Sequence, residues 1–349
     1  MIKSKPFMRT VTAGLALSAS ALAISVGTAS AAEWKYALEE AIDEVQGVYA
    51  TQFKEYIEAN SDHTVSIFPF GTLGESADLT ELAQMGAIQI VDASPGFMGA
   101  LIPEAEVFLI PYVLPEDQEV LADFYDTSPT INEDLAALYE EQQLHMIEMF
   151  PEGEVVMTTK EPVTSREDLN EVKFRVMTSP LLVQTYDAFG ATPTPLPWGE
   201  VYSSLQLNMI QGQENPMFFV ESTGMWEVTD YITFTGHSTF TTSVAGNLNW
   251  WNGLSDEDKQ LVNDAAAAAY DYIIEYQQGL TESSLDKILE QKPEMTVTRL
   301  TDEQRQPFRE AAQSVRQTFI ERAGESGADI LEGFEADIEA SRERVNGAM

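Results

Sequence analysis

His63, His145 and His237 are the whole imidazole complement of this 349-residue chain, and there is no cysteine. A histidine-built metal site needs ligands spaced to converge, and none of the three has a second histidine at i+2 to i+5. The lack of cysteine removes thiolate zinc sites, iron–sulfur clusters, disulfides and a cysteine nucleophile together. No G-x-S-x-G elbow, phosphate-cradling G-x-x-x-x-G-K-[ST] loop or G-x-G-x-x-G turn is present. Adjacent carboxylates such as Glu39/Glu40 and Glu116/Asp117 are expected among 57 acidic residues and do not by themselves make a glycosidase pair. The residue types give no positive sign of catalysis.

They do suggest binding. Glu40 directly follows an alternating Trp34, Tyr36, Leu38 pattern, and Phe97 closes the Ser94-Pro95-Gly96-Phe97 turn after the apolar run Ile88–Val91. Arg175 alternates with Phe174 and Val176 just before a Ser179-Pro180 helix start, and Trp198 is held in the stiff Pro193-Thr194-Pro195-Leu196-Pro197 segment. Asn215 lies in Gly212-Gln213-Glu214-Asn215-Pro216, with Phe219 on its face if the chain stays extended, and Phe240 stands in a Thr-rich strand. These positions fall at the carboxyl ends of strands, where α/β proteins collect ligands. A guanidinium fork binds a carboxylate bidentately, and a glutamate beside aromatic rings suits a delocalised cation, each cation–π contact contributing ~0.5–2 kcal/mol. One Arg, one Glu and several rings describe a site for a small zwitterion. Each residue also has a plainer use: Arg175 on a surface carboxylate, Glu40 in solvent, the phenylalanines in a core, Trp198 stapling its own loop.

The elements that must position these residues alternate between strand and helix, which predicts an α/β fold. Val45, Tyr49, Phe53 and Tyr56 recur at helical spacing, Thr64–Phe68 reads as a strand, and a helix covers Ala77 to Met85. A second set of elements begins near Val155. From Ser255, Leu261, Ala265, Ala269, Tyr272, Ile273 and Tyr276 mark one apolar stripe. The 37 positions to Gln291 would reach about 55 Å as one helix, unless Gly279 divides it. Thr296–Leu300 reads as a strand. A helix with Phe308, Ala312, Val315 and Phe319 follows, and then a polar tail.

Nineteen basic against 57 acidic residues give a formal charge of -38, which excludes nucleic acid as a partner. Lys3, Lys5 and Arg9 precede an apolar run from Val11 to Val26, and Ala29-Ser30-Ala31 completes a secretory signal cut after Ala31. The run is too short and Ala/Ser-rich for a membrane span of ~20 apolar residues. The exported chain would carry -41, an acidic shell suited to high external salt, where screening shortens repulsion; that repulsion also favours a monomer.

At these residues the chain resembles the substrate-binding proteins of tripartite ATP-independent periplasmic (TRAP) transporters, the DctP-like family. The likeness rests on Gly190-Ala191-Thr192-Pro193, Trp198-Gly199-Glu200-Val201-Tyr202 and Gly212-Gln213-Glu214-Asn215-Pro216, with Gly71-Thr72-Leu73-Gly74, Ser94-Pro95-Gly96-Phe97 and Lys173-Phe174-Arg175 in support. It extends over essentially all of the chain beyond residue 31. Within the family it is most similar to the ectoine/5-hydroxyectoine binders. Asn208 and Gln211 depart from the family's usual Gly and Asp, and Phe219 stands where the ectoine binders favour Trp.

The resemblance implies two α/β lobes joined by crossing strands and a long lobe-spanning helix: 32–154 with 243–282, and 155–242 with 283–349. It implies a periplasmic receptor that closes on ectoine or 5-hydroxyectoine and docks on TRAP membrane subunits, with no cofactor and no catalysis. Arg175 and Asn215 would hold the ligand carboxylate. Glu40 would face its amidinium ring within a box of Phe97, Trp198, Phe219 and Phe240. A receptor for another organic carboxylate would need Arg175 but not Glu40, and a secreted hydrolase is the remaining alternative class.

Overall fold

The computed structural model describes Met1 and residues 31–348, so the expected export segment lies, apart from its end residues, outside the described residues. Ten strands follow in chain order: β1 (Glu33–Ala37), β2 (Thr64–Phe68), β3 (Ile90–Asp92), β4 (Leu144–Thr159), β5 (Lys173–Val176), β6 (Thr192–Pro195), β7 (Gly212–Pro216), β8 (Tyr231–Phe234), β9 (Thr239–Asn247) and β10 (Thr296–Arg299). They form one continuous hydrogen-bonded path, β2-β1-β3-β9-β4-β7-β5-β6, with β8 on β4 and β10 on β8. β1 pairs in parallel with β2 and β3, as the connecting helices require. The helix Val45–Asn60 crosses between β1 and β2 and buries Val45, Tyr49, Phe53 and Ile57 at the predicted four-residue spacing.

β4 joins the two halves. Leu144–Glu154 runs antiparallel to β9, and Val155–Thr159 runs antiparallel to β7. The sequence suggested a fresh start near Val155, whereas the strand holding Val155 begins eleven residues earlier, at Leu144. The cause is local: the register against β9 shifts between Pro151 and Gly153, and Gly153 sits at φ 111°. Such a bulge breaks the alternation that would have revealed one strand. Val156, Met217, Val220, Ile232, Phe234, Leu285 and Ile288 form a small core on the far side of this crossing, separate from the large core that holds Tyr36, Phe53, Phe108 and Phe150.

The Ser255–Gln291 stretch is divided, as Gly279 allowed. Ser255 caps a helix Asp256–Tyr276 by accepting the Asp258 N–H at 3.0 Å, and Gly279 at φ 76° starts a second helix, Leu280–Gln291. The first packs on Val45–Asn60 and the second on Met217–Ser222, so the pair still bridges the halves. The buried face of the first is Val262, Ala265, Ala266, Ala269, Tyr270 and Ile273, while Tyr272 and Tyr276 stack on each other in solvent.

The expected polar tail is not one. Helix continues from Asp302 to Ala348 across a kink at Gly324, where φ is 74° and ψ −149°. Beyond the kink, Ile330, Leu331, Phe334 and Ile338 are buried. Phe334 meets Phe108 and Phe124 edge-on at 5.0 and 4.7 Å, and Asp337 accepts from Ser128 Oγ and the Thr130 N–H. Few apolar residues at i, i+3/i+4 spacing among many charges suffice for a one-sided helix. The residues after Gly324 thus pack on elements between 103 and 135, away from the half to which the chain order assigned them. Phe334→Ala is expected to cost about 3–5 kcal/mol in urea unfolding. A loss below about 1 kcal/mol would show that this segment does not belong to the core.

Candidate functional site

All seven residues singled out from the sequence line one cavity with about 380 Å³ of empty space, together with Glu39, Gln46, Ser76, Met177 and Pro216. Each is delivered by the end of an element. Glu40 lies just beyond β1, and its Oε2 accepts the Gln46 N–H at 3.0 Å. Phe97 projects from the short helix Pro95–Met98 after β3, and Asn215 from β7, where its amide donates to Gln213 Oε1. Phe240 comes from β9, which lies between β3 and β4 and so borders both halves. Phe219 arrives differently from the expectation. The chain after Pro216 is helical (Met217–Ser222), and Phe219 reaches the cavity from that helix, its ring centroid 4.7 Å from that of Trp198 with the planes tilted by 38°.

Arg175 is 2 % exposed, and no carboxylate among the described residues pairs with it. Its Nε and Nη2 both donate to the Leu196 carbonyl, at 3.1 and 2.9 Å, and its guanidinium carbon lies 5.5 Å from the Trp198 ring centroid. The proline-stiffened segment therefore aims the guanidinium from its back, leaving the remaining N–H groups towards the cavity. Burial pulls this guanidinium down to about 10, with Glu214 and Glu75 acting against the shift.

The facing wall is acidic and equally buried. Burial, then Glu152 and Glu44, push the Glu40 carboxyl well above the usual carboxylate range. Burial likewise raises Glu39 to about 7, although Ser94 donates to it through both its N–H, at 3.0 Å, and its hydroxyl. Glu44 accepts the Ala41 N–H at 2.7 Å and the Ser222 hydroxyl at 2.5 Å, a contact across the cleft. A Cβ on Gly96 would overlap the Met177 thioether, so any larger residue there would displace the end of that side chain.

The three histidines do other work. His237 Nε2 lies 2.8 Å from Glu214, which also takes the Tyr186 hydroxyl; His63 stacks on Trp34 and meets Asp258; His145 stacks on Trp251. None lines the cavity.

The family model described as DctP, bacterial extracellular solute-binding protein, family 7, matches residues 37–323. The chain belongs to this family. Family 7 proteins are receptors and not enzymes. This one is 60 % identical over 327 residues to the ectoine/5-hydroxyectoine-binding periplasmic protein UehA of Ruegeria pomeroyi, a match covering 93 % of this chain and 96 % of that protein. The structure of the periplasmic ectoine-binding protein from the TeaABC TRAP transporter of Halomonas elongata matches with a TM-score of 0.87 and 53 % identity, covering 88 % of this chain and 99 % of that one. TeaA described as in the apo-state matches with 0.78 and 52 % identity over the same shares.

Two departures from the family pattern have a structural reading. Asn208 adopts φ 58°, the left-handed region that glycine enters freely and Asn tolerates best among other residues. Gln211 accepts the Lys173 N–H at 2.9 Å and so ties the turn to β5. Sequence reading missed Glu39, Gln46 and Met177. Gln46 could have been flagged as a polar residue on the apolar face of the helix from Val45; nothing marked Met177 or distinguished Glu39 from its neighbour.

The raised Glu39 carboxyl has a consequence for stability. Its folded value lies above the ordinary 4.5, so its contribution is complete below that pH and is lost as pH rises towards about 7. Urea unfolding is expected to show stability falling over that window, and Glu39→Gln to remove roughly 3 kcal/mol of the fall. An unchanged slope would contradict a protonated Glu39.

Proposed function

We propose that this chain is the periplasmic receptor of a TRAP transporter, binding ectoine or 5-hydroxyectoine in the cavity and delivering it to the membrane subunits. The observation that carries the reading is the buried Arg175, with no carboxylate pairing with it among the described residues, sharing one cavity with a buried Glu40 and four aromatic rings. A buried charge needs a partner, and a ligand carboxylate supplies one for Arg175, with Asn215 beside it. A delocalised ring cation supplies the other for Glu40, between the faces of Phe97, Trp198, Phe219 and Phe240. The relatives named above bind ectoines by their own descriptions, and the first covers nearly the whole chain.

The lobes in this reading are 32–154 with 243–282, and 155–242 with 283–349, except that residues after Gly324 travel with the first lobe, on which Phe334 packs. Ligand contacts to both walls favour the closed arrangement, in which Ser222 donates to Glu44.

Calorimetric titration with ectoine tests this. Arg175→Ala and Glu40→Gln are each expected to weaken binding by at least ~100-fold, since each leaves a ligand charge buried and unpaired. Circular dichroism should show both variants folded. Near wild-type affinity in a folded Glu40→Gln would overturn the zwitterion reading and leave a plain carboxylate receptor.

A further inference from the structure

Glu106 lies outside the cavity, in the 3-10 helix Pro103–Leu109 of the first half, and is 0 % exposed. Its donors all come from distant parts of the chain. Oε1 accepts the Ser179 hydroxyl at 2.5 Å and the Leu181 N–H at 3.2 Å, and Oε2 accepts from Arg322 Nη2 at 3.3 Å. A Cβ on Gly99 would overlap the same carboxyl, which therefore fills the space beside that glycine.

These bonds complete the start of the helix Pro180–Ala188. Pro180 has no N–H, Leu181 donates to Glu106, Leu182 donates to Ser179 Oγ at 3.1 Å, and Val183 donates to the Ser179 carbonyl at 3.2 Å. Every N–H of the first turn is thus satisfied, one of them only by a side chain from the other half. A carboxylate at a helix N-terminus also opposes the positive end of the helix dipole. The third donor, Arg322, stands two residues before the kink at Gly324, in a helix that packs on both Pro103–Leu109 and Pro180–Ala188. Leu181, Tyr186 and Phe189 share the large core with Phe108, so the junction is packed as interior. Pulling these partners apart would leave a buried carboxyl without donors and a helix start without an acceptor.

We propose that Glu106 is a positioning residue, an interlobe pin that stays made while the cleft opens elsewhere. Three residues, Val176, Met177 and Thr178, separate Arg175 from Ser179, and Met177 lines the cavity. Fixing the helix start against the first half therefore fixes the end of β5, and with it the placement of Arg175 relative to the acidic wall. The consequence for affinity rests on the ligand reading above; the pin itself does not.

Because the chain has no cysteine, spin labels can be placed on Met85→Cys in the first half and Leu207→Cys in the second, both at exposed positions. In the ligand-free full chain, Glu106→Ala is expected to broaden the distribution of distances between the labels. Glu106→Gln keeps an Oε1 acceptor for Ser179 and Leu181 and is expected to leave the distribution as it is. An unchanged distribution in folded Glu106→Ala, or equal broadening in Glu106→Gln, would overturn the pin. In calorimetric titration with ectoine, Glu106→Ala is expected to weaken binding ~10-fold or more and Glu106→Gln to stay within ~3-fold of wild type. A Glu106→Ala chain that unfolds at lower urea yet binds as wild type would reduce the residue to a structural part and refute its positioning role. Ser179→Ala is a milder variant expected to act in the same direction, and no change in either readout would count against the proposal even if Glu106→Ala does not fold. If wild type bound no ectoine while Glu106→Ala still broadened the distances, the ligand reading would fall and the pin would stand.

Discussion

A buried guanidinium that meets no carboxylate among the described residues is the constraint on which the rest of the cleft depends. Taking a charge out of water costs several kcal/mol unless something opposes it. In this protein the opposition is deliberately incomplete. The Leu196 carbonyl takes two N–H groups, Trp198 lies alongside the guanidinium, and Glu214 and Glu75 act only from a distance. Proline at 193, 195 and 197 stiffens the segment that carries that carbonyl and leads into that indole. In the proposed reading the remaining donors are fixed in advance for a ligand carboxylate, and preorganisation of this kind lowers the ordering cost of binding.

The acidic wall follows a related logic. Most of the 57 acidic residues lie on the surface and set the overall charge of -38, which governs solubility and not recognition. Glu39, Glu40, Glu44, Asp92 and Glu152 are instead gathered out of solvent in the first half of the fold. Each is tied to a hydroxyl or an N–H from Ser94, Gln46, Ser222, Tyr36 or Thr242. Hydrogen bonds hold such a cluster in place, and burial keeps part of it protonated. A ligand cation at Glu40 would favour ionisation of that one group, so recognition and local charge state are coupled in the same few ångströms.

That the seven candidate residues share one cavity was legible from scarcity and stiff local context (few arginines, a proline-flanked tryptophan, a turn-closing phenylalanine) together with the family resemblance, while their binding roles stand as the proposal. Local elements with regular spacing, such as Val45–Asn60 and Thr64–Phe68, were legible for the same reason. Features that depend on tertiary placement were not. The continuity of β4 was hidden by its own bulge. Phe219 reached the expected cavity by an unexpected route, since a proline before a short helix reads the same as a proline in an extended run. The helix after Gly324 went unseen because four buried apolar side chains are diluted among charges, and only their partners at Phe108 and Phe124 show which face is covered.

Titration calorimetry of the purified chain against ectoine, 5-hydroxyectoine, glycine betaine and simple monocarboxylates tests the central claim most directly, because the panel separates the two ligand charges. An unpaired Arg175 opposed by Glu40 predicts that an ectoine binds more tightly than any ligand lacking the ring cation or the carboxylate. Tight binding of a simple carboxylate, with neither ectoine bound, would contradict the account.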